Sequence, residues 1–359
     1  MNLCLVIPSL QGGGMERVMS ILAKEFARIE KVNVHLVLYG KSQTIFYPLP
    51  DNIRIHRPPY IFKDTYRLWF TLKTLLFIRK SISQIKPDSI LSFGEYWNSF
   101  VLLSLIGLKH PVFISDRCQP DKRFGRFHTI LRKWLYPRAT GIIAQTNIAK
   151  EIFFNQKLNS NISIIGNPVR SFKFEDESIE KENIILSVGR LISSKHHDEL
   201  IKVFSRIKQS DWKLIIVGSD ALKQSNREKL QSLIEHLKIE DSIILTGEVD
   251  NVENYYQKSK IFAFASSSEG FPNVIGEAQA AGLPVVAFDC IAGPAELIND
   301  GENGYLIPLF DYQMYAKKLQ SLMSDANLRR DYGRRAKQSV KRFDSEVVAD
   351  EYFKIITSS

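Results

Sequence analysis

The sequence predicts an α/β protein of two domains, each built on a doubly wound parallel sheet. Three observations carry this. The chain has 359 residues, more than one hydrophobic core usually serves. Short apolar runs alternate with helix-length segments along the whole chain. That alternation restarts after Asn167-Pro168.

Taken in order, residues 3–8 read as a first strand, followed by Gln11-Gly12-Gly13-Gly14 and a helix over 15–29. Residues 32–39 form a second strand, and 90–93, 112–115 and 141–145 are short buried strands separated by helical patterns. A linker is expected over 165–176, where Pro168 and the charged run 175–177 suit a connection. Beyond it come a strand at 184–188, a helix over 197–208, and strands at 214–217, 243–245, 261–265 and 285–288. The domains are therefore placed at 1–168 and 169–359. Two such domains, Rossmann-like and facing across a cleft, place a ligand in that cleft at the carboxyl ends of the strands.

Composition narrows the class. Hydrophobic residues make up 44% and charged residues 24%, ordinary for a soluble globular chain. Cys4, Cys118 and Cys290 lie far apart and match no zinc or disulfide spacing, which suits a reducing, cytoplasmic setting. The longest apolar run, 100–108, is about half of what a membrane span needs, and residues 3–8 are too short for a signal peptide.

Charge is unevenly divided. Residues 1–169 hold 23 Lys/Arg against 10 Asp/Glu, or +13, whereas the remainder holds 25 against 29, or −4. The excess concentrates in two stretches. Over 57–80, Arg67, Lys73, Arg79 and Lys80 accompany Leu68, Trp69, Phe70, Leu72, Leu75, Leu76 and Phe77 in what reads as an amphipathic helix. Over 122–138, Arg123, Arg126, Arg132 and Lys133 accompany Trp134 and Tyr136. Such elements suit an anionic membrane surface, and core-facing helices with solvated charges would look the same. No nucleic-acid motif accompanies the charge.

The densest chemical signal is Glu269-Gly270-Phe271-Pro272-Asn273-Val274-Ile275-Gly276-Glu277. An apolar strand precedes it and a helix follows. Pro272 suits the start of a helix, Gly270 permits close backbone approach, and the helix beginning near Asn273 offers N–H groups and a positive dipole end to phosphate. Glu277 lies on the same helical face as Asn273, where its carboxylate can accept from a ribose diol. Glu269 lies one ligand unit away, where a sugar would rest. Upstream, Arg190 and Lys195 follow a strand and point at its carboxyl end. Without an Asp-X-Asp metal pair in the sequence, they are the groups available to offset charge growing on a departing diphosphate. Plain structural readings remain: a buried strand-to-helix turn, and an exposed pair of loop cations.

Other motifs carry less. Gly12-Gly13-Gly14 follows a strand, but Arg17 stands where a dinucleotide fingerprint needs its third glycine, so a nicotinamide or flavin role is disfavoured. A structural turn is the plainer alternative there. Ser266-Ser267-Ser268 lacks a nucleophile-elbow pattern. The adjacent His196 and His197 must point apart and read as helix-start residues.

Residues 184–306 resemble the retaining glycosyltransferases of family 4, which have the GT-B fold. The matching residues are Ser187-Val188-Gly189-Arg190 with Lys195, Glu269-Gly270-Phe271-Pro272-Asn273 with Glu277, Ala281-Gly282-Leu283-Pro284-Val285-Val286 and Asn303-Gly304-Tyr305-Leu306. Gly12-Gly13-Gly14-Met15-Glu16-Arg17 and Ile165-Gly166-Asn167-Pro168-Val169 extend the resemblance more weakly. It is most similar to bacterial enzymes that extend lipid-linked glycans.

The resemblance implies transfer of a hexose or N-acetylhexosamine from an NDP-sugar, UDP above all, to a polyprenyl-diphosphate-linked or polysaccharide acceptor. It implies Arg190, Lys195 and Glu269 as catalytic residues. Gly14, Val249, Gly270, Phe271, Pro272, Asn273, Val274 and Glu277 would bind donor, and Gly12, Gly13 and Arg117 would bind acceptor. No metal or cofactor is expected. Arg117 stands where many relatives carry histidine, and a salt bridge with Asp116 or another acid is an equal reading. The last helix, about 345–356, is expected to cross back to the first domain. The expected location is the inner face of the cytoplasmic membrane. Rival readings are a nucleotide-sugar epimerase on a similar scaffold and a catalytically silent sugar-nucleotide-binding subunit.

Overall fold

The computed structural model describes residues 1–42, 44–170, 172, 180–207, 211–221 and 224–358. The chain divides into two compact units, Met1–Pro168 with Ser345–Ser359, and Val169–Asp344. Much of the linker expected over 165–176, including the charged run at 175–177, lies outside the described residues, as does position 208 of the expected helix 197–208.

The first unit runs β1 (Asn2–Ile7), α1 (Gly14–Arg28), β2 (Asn33–Leu38), β3 (Arg54–His56), α2 (Arg67–Ile85), β4 (Ser89–Phe93), α3 (Asn98–Ser104), β5 (Val112–Ser115), α4 (Arg126–Leu135), β6 (Gly141–Ala144), α5 (Asn147–Asn155) and β7 (Ile162–Ile164). Its strands form one parallel sheet in the order β3-β2-β1-β4-β5-β6-β7. The second unit runs β8 (Ile184–Val188), α6 (His197–Ile207), β9 (Lys213–Val217), α7 (Asn226–Leu237), β10 (Ile243–Gly247), α8 (Glu253–Lys258), β11 (Ile261–Phe264), α9 (Asn273–Ala280), β12 (Val285–Phe288), α10 (Pro294–Leu297), β13 (Gly304–Ile307), α11 (Tyr312–Ser324) and α12 (Ala326–Ser339). Its parallel sheet is ordered β10-β9-β8-β11-β12-β13. Helix α13 (Ser345–Thr357) belongs to the first unit and packs on α1 and β4.

Why these runs become strands is clearest in the second unit. Successive residues of a strand face opposite sides of the sheet. Ile185, Leu214, Ile216, Ile261 and Ala263 enter one core, and Leu186, Ile215, Val217, Phe262 and Phe264 enter the other. Both faces are covered by helices, so the strands read as unbroken apolar runs rather than alternating ones. Helix starts are fixed locally. The Thr146 hydroxyl accepts from Ala149 N at 3.0 Å to cap α5, and Asp325 accepts from Asn327 N and Leu328 N at 2.9 and 3.0 Å to cap α12. Each such cap contributes about 1 kcal/mol.

Two expectations change. The helical segment expected over 57–80 begins only at Arg67, because Pro58 and Pro59 lack the N–H groups a helix interior needs and bias the chain toward extended structure. Strands β3, β7 and β13 were not anticipated. All three are edge strands of three or four residues, too short to leave a clear apolar run.

Both sheets reverse direction of growth at one point, between β1 and β4 in the first unit and between β8 and β11 in the second. At such a switch the following loops diverge and open a crevice at the carboxyl edge. In the second unit the diverging loops are 189–196 and 265–272. They contain Arg190, Lys195 and residues 269–272, and the second leads into the helix that carries Glu277.

Candidate active site

The loop after β8 is a close-packed structure. Gly218, which follows β9, passes so near that a Cβ on it would lie 1.9 Å from the Gly189 carbonyl oxygen, which only glycine permits. Gly189 N donates to Val217 O and Gly218 N to Gly247 O, at 2.9 and 3.0 Å. The loop then turns through Ser193–Lys195 to His196, whose φ of 48° is left-handed. From there it is tied to the loop after β11. Ser267 N donates to Ser194 O at 2.9 Å, Ser266 Oγ donates to the same oxygen at 3.2 Å, and His196 Nε2 meets Ser267 Oγ at 2.8 Å.

This clamp sets Lys195 against Glu269. The two form an ion pair, each side chain about 15% exposed, and Lys195 Nζ also lies 5.1 Å over the Phe264 ring. Arg190 is exposed, and among the described residues its guanidinium has no partner. The two cations assigned to a diphosphate therefore differ in state, one neutralised by a carboxylate and one free.

The turn from 269 to 273 leads into α9. Pro272 is the residue before the helix rather than its first residue. Gly293, at φ 106°, lets the 290–294 loop approach so closely that a Cβ there would lie 2.2 Å from Pro272 Cδ. Asn273 N donates to Phe271 O at 3.0 Å and Ile275 N to Pro272 O at 2.9 Å. The amide set left for a phosphate is thus narrower than a free helix start provides. Phe271 is buried, its ring edge-on to Phe343 at 5.4 Å, so it can meet a ligand only through its backbone. Gly270 and Asn273 are half-buried, and Val249 and Val274 pack against the core beneath.

Glu277 is 5% exposed. The Tyr256 hydroxyl on α8 donates to its Oε2 at 3.0 Å, and Tyr256 is itself fully buried, stacked on Phe262 at 5.9 Å. Sequence reasoning missed Tyr256. Its signal, a tyrosine one helix upstream in an Asn-Tyr-Tyr run, has no spacing that marks it. His197 does start α6, as its sequence reading expects, but its burial was not legible; burial first and the Lys195 charge second pull the imidazole down to about 4. Such an arrangement places a cation, two carboxylates and a helix start around one crevice, which suits a diphosphate, a sugar and a ribose diol.

In the first unit, Gly12–Gly14 connects β1 to α1, with Gly13 preceding the helix in extended conformation. The Tyr47 hydroxyl donates to Gly13 O at 3.1 Å. Arg117 is held by neutral partners. Its Nη1 donates to Asn167 Oδ1 at 2.6 Å and its Nη2 to Tyr352 Oη at 2.8 Å, and its guanidinium lies 3.6 Å over the Phe93 ring. Burial lowers its pKa from the ordinary arginine value. Among the described residues the alternative salt bridge with Asp116 does not form, because the guanidinium is turned to Asn167 and Tyr352. Asp116 pairs instead with Arg132 of α4, both nearly fully buried, and also accepts from Tyr136 Oη at 2.7 Å and Asn98 Nδ2 at 2.9 Å. Arg132 is therefore not part of a basic surface. Among the described residues no group of three or more His, Cys, Asp or Glu is placed to hold a metal ion.

These sites match a known class. The profile described as "Glycosyltransferase Family 4" fits residues 12–171, and that described as "Glycosyl transferases group 1" fits residues 169–339. The chain is 27% identical to the GalNAc-alpha-(1->4)-GalNAc-alpha-(1->3)-diNAcBac-PP-undecaprenol alpha-1,4-N-acetyl-D-galactosaminyltransferase of Campylobacter jejuni, over 99% of this chain and 98% of the relative. It is 28% identical to the amylovoran biosynthesis glycosyltransferase AmsD of Erwinia amylovora, over 96% of each. In fold it is similar to the lipopolysaccharide outer core galactosyltransferase WaaB, with a TM-score of 0.82, 20% identity and coverage of 100% and 99%. It is likewise similar to Anabaena Alr3699/HepE in complex with UDP, with a TM-score of 0.81, 17% identity and full coverage of both. The chain thus carries two glycosyltransferase domains, one of family 4 and one of group 1, has the GT-B fold, and is an enzyme of hexosyl-transfer type. The epimerase and silent-subunit readings are thereby set aside.

Proposed function

We propose that this enzyme moves a hexose or N-acetylhexosamine from a UDP-sugar to a polyprenyl-diphosphate-linked glycan in cell-surface glycan synthesis, with retention of anomeric configuration and without a metal. The observation that carries this is the Lys195–Glu269 pair at the β8/β11 switch, with Glu277 held nearby by Tyr256. The substrate classes are supported by relatives whose names specify undecaprenyl-diphosphate-linked glycans and by a structure of the same fold that holds UDP.

In this reading Glu277 accepts from the ribose hydroxyls and the start of α9 meets the diphosphate. Arg190 and Lys195 bear on the phosphate oxygens, where negative charge grows as the bond from the anomeric carbon to phosphate breaks. Glu269 gives up Lys195 to the donor and accepts from the sugar hydroxyls. The acceptor oxygen bonds to the anomeric carbon on the face the diphosphate leaves, and its proton passes to the departing phosphate oxygen. Reaction takes place at the cytoplasmic face of a membrane, which the basic first unit meets electrostatically. No described helix is long and apolar enough to cross a membrane.

Purified enzyme incubated with a panel of NDP-sugars and polyprenyl-diphosphate-linked acceptors tests this. UDP release that requires acceptor, survives EDTA and yields the donor's anomer by NMR is expected. Donor conversion without acceptor, or loss of activity with EDTA restored by a divalent cation, would overturn it.

A further inference from the structure

A second cavity lies at the carboxyl edge of the first unit's sheet, beside the loops after β2 and β4. Its volume is about 670 Å³, within the range of small-molecule sites. Phe62, Leu75, Trp97, Phe100, Leu103 and Leu131, from α2, α3, α4 and the adjoining loops, give it apolar walls. Lys41, Arg67 and His128 also line it, and the one carboxylate there among the described residues, Asp64, is paired with Lys41.

Two further facts point to a ligand. Tyr39 and Ser99 both line the cavity, are 3% and 1% exposed, and have hydroxyl oxygens with no hydrogen-bond partner. Orphaned buried hydroxyls are costly, so a pair of them on residues that line one space favours a polar occupant that could satisfy them. Burial drives the Tyr39 pKa far above its ordinary value, so this hydroxyl remains a proton donor. In addition, the helices that wall the cavity carry apolar side chains on the outside. On α2 these are Leu68, Leu72 and Leu76, four residues apart along one face and 88%, 49% and 57% exposed, and on α4 Phe127 and Ile130, 69% and 66% exposed. Arg67, Lys80, Arg126 and Lys133 stand exposed among them.

We propose that this cavity holds the diphosphate and first isoprene units of the lipid-linked acceptor. The diphosphate accepts from Tyr39 Oη and Ser99 Oγ and meets Lys41, Arg67 and His128, while the prenyl chain follows the apolar walls outward between α2 and α4. An occupant with a doubly anionic head and an apolar tail is what the combined lining recognises. The proposal rests on the lipid-linked acceptor of the preceding section and names the residues that would hold its lipid end.

The test is calorimetric titration of the full-length enzyme with geranylgeranyl diphosphate, with inorganic diphosphate and dihexanoyl phosphatidylglycerol as separate arms. Saturable 1:1 binding of the prenyl diphosphate, at least tenfold tighter than either other ligand, is expected. Leu103→Trp, which fills the cavity, and Tyr39→Phe, which removes a donor with almost no change of shape, should each weaken it several-fold while UDP binding stays unchanged and Tm does not fall. Equal affinity for the phospholipid, or variants that keep their Tm and bind prenyl diphosphate like wild type, would overturn the site. Tyr39→Phe decides the matter if Leu103→Trp fails to fold. Transfer to lipid-linked acceptor with a KM indifferent to both variants would sink this cavity while leaving the transferase reading intact. Prenyl diphosphate binding without any transfer would do the reverse.

Discussion

Lys195 and Glu269, 74 residues apart in sequence, form an ion pair across the two loops that diverge at the β8/β11 switch. The pair connects two groups that the sequence assigned to different parts of one ligand. A donor diphosphate must therefore compete with Glu269 for Lys195, and the exchange of partners couples donor binding to release of the carboxylate. Lys195→Ala should lower kcat/KM by about 10²–10³, the usual effect of removing one group that stabilises developing charge. It should also leave Glu269 half-buried and uncompensated, so Lys195→Ala/Glu269→Gln should be less than additive in Tm. Steady-state kinetics and thermal melts check both. Additive effects would show that the pair does not act as a unit.

Tyr256 offers a smaller and cleaner test. Its hydroxyl is a donor to Glu277 and its ring is packed in the core, so Tyr256→Phe removes the hydrogen bond and keeps the packing. One hydrogen bond to a charged group contributes about 1.5–3 kcal/mol. A rise in donor KM on the order of tenfold is expected, with kcat less affected. Unchanged KM would mean that Glu277 keeps its orientation without Tyr256.

What was legible in the sequence follows from what each signal depends on. Strands β5 and β12 were read at their true limits because each is buried on both faces and ends at a turn. The Glu269–Glu277 segment was legible because proline, glycine and two carboxylates fall at fixed offsets around one turn. The Lys195–Glu269 pair, the Tyr256 partner of Glu277 and the Arg132 partner of Asp116 were not legible. Each joins residues on separate elements, and no local pattern records such a meeting. Arg132 shows the cost most plainly. In sequence it is one cation of a basic run, but in the fold it is the buried one, while Arg126 and Lys133 remain outside.

The buried imidazole of His197 predicts acid sensitivity. Its pKa is pulled to about 4 in the folded chain, mainly by burial, against about 6.5 in an unfolded one. Between these values the unfolded chain binds the proton and the folded chain does not, so stability falls as pH falls through this window. Going from pH 7 to pH 5 should cost about 2 kcal/mol from this residue. His35, also lowered to about 4 by burial and by His56, acts in the same direction, so wild type alone does not isolate the effect. Urea midpoints of wild type and His197→Gln at both pH values do. A pH-dependent loss of equal size in the variant would refute the assignment.

The Arg132–Asp116 pair should behave as a structural element rather than as surface charge. Both side chains are almost inaccessible, and Asp116 also accepts from Tyr136 and Asn98. Burial pushes the Asp116 carboxyl up, and Arg132 is the first group opposing that rise. Removing Arg132 alone leaves a buried carboxylate without its cation, at a cost of about 3–5 kcal/mol. Arg132→Met should therefore lower the Tm by many degrees, whereas Lys133→Ala, one position on and exposed, should leave it within the small range of surface substitutions. Arg132→Met/Asp116→Asn should recover part of the loss, because the uncompensated charge is gone. If Arg132→Met and Lys133→Ala melted alike, the buried pair would not be holding α4 to the loop after β5. The apolar cavity beside α4 would then lack the fixed wall that a specific lipid site requires.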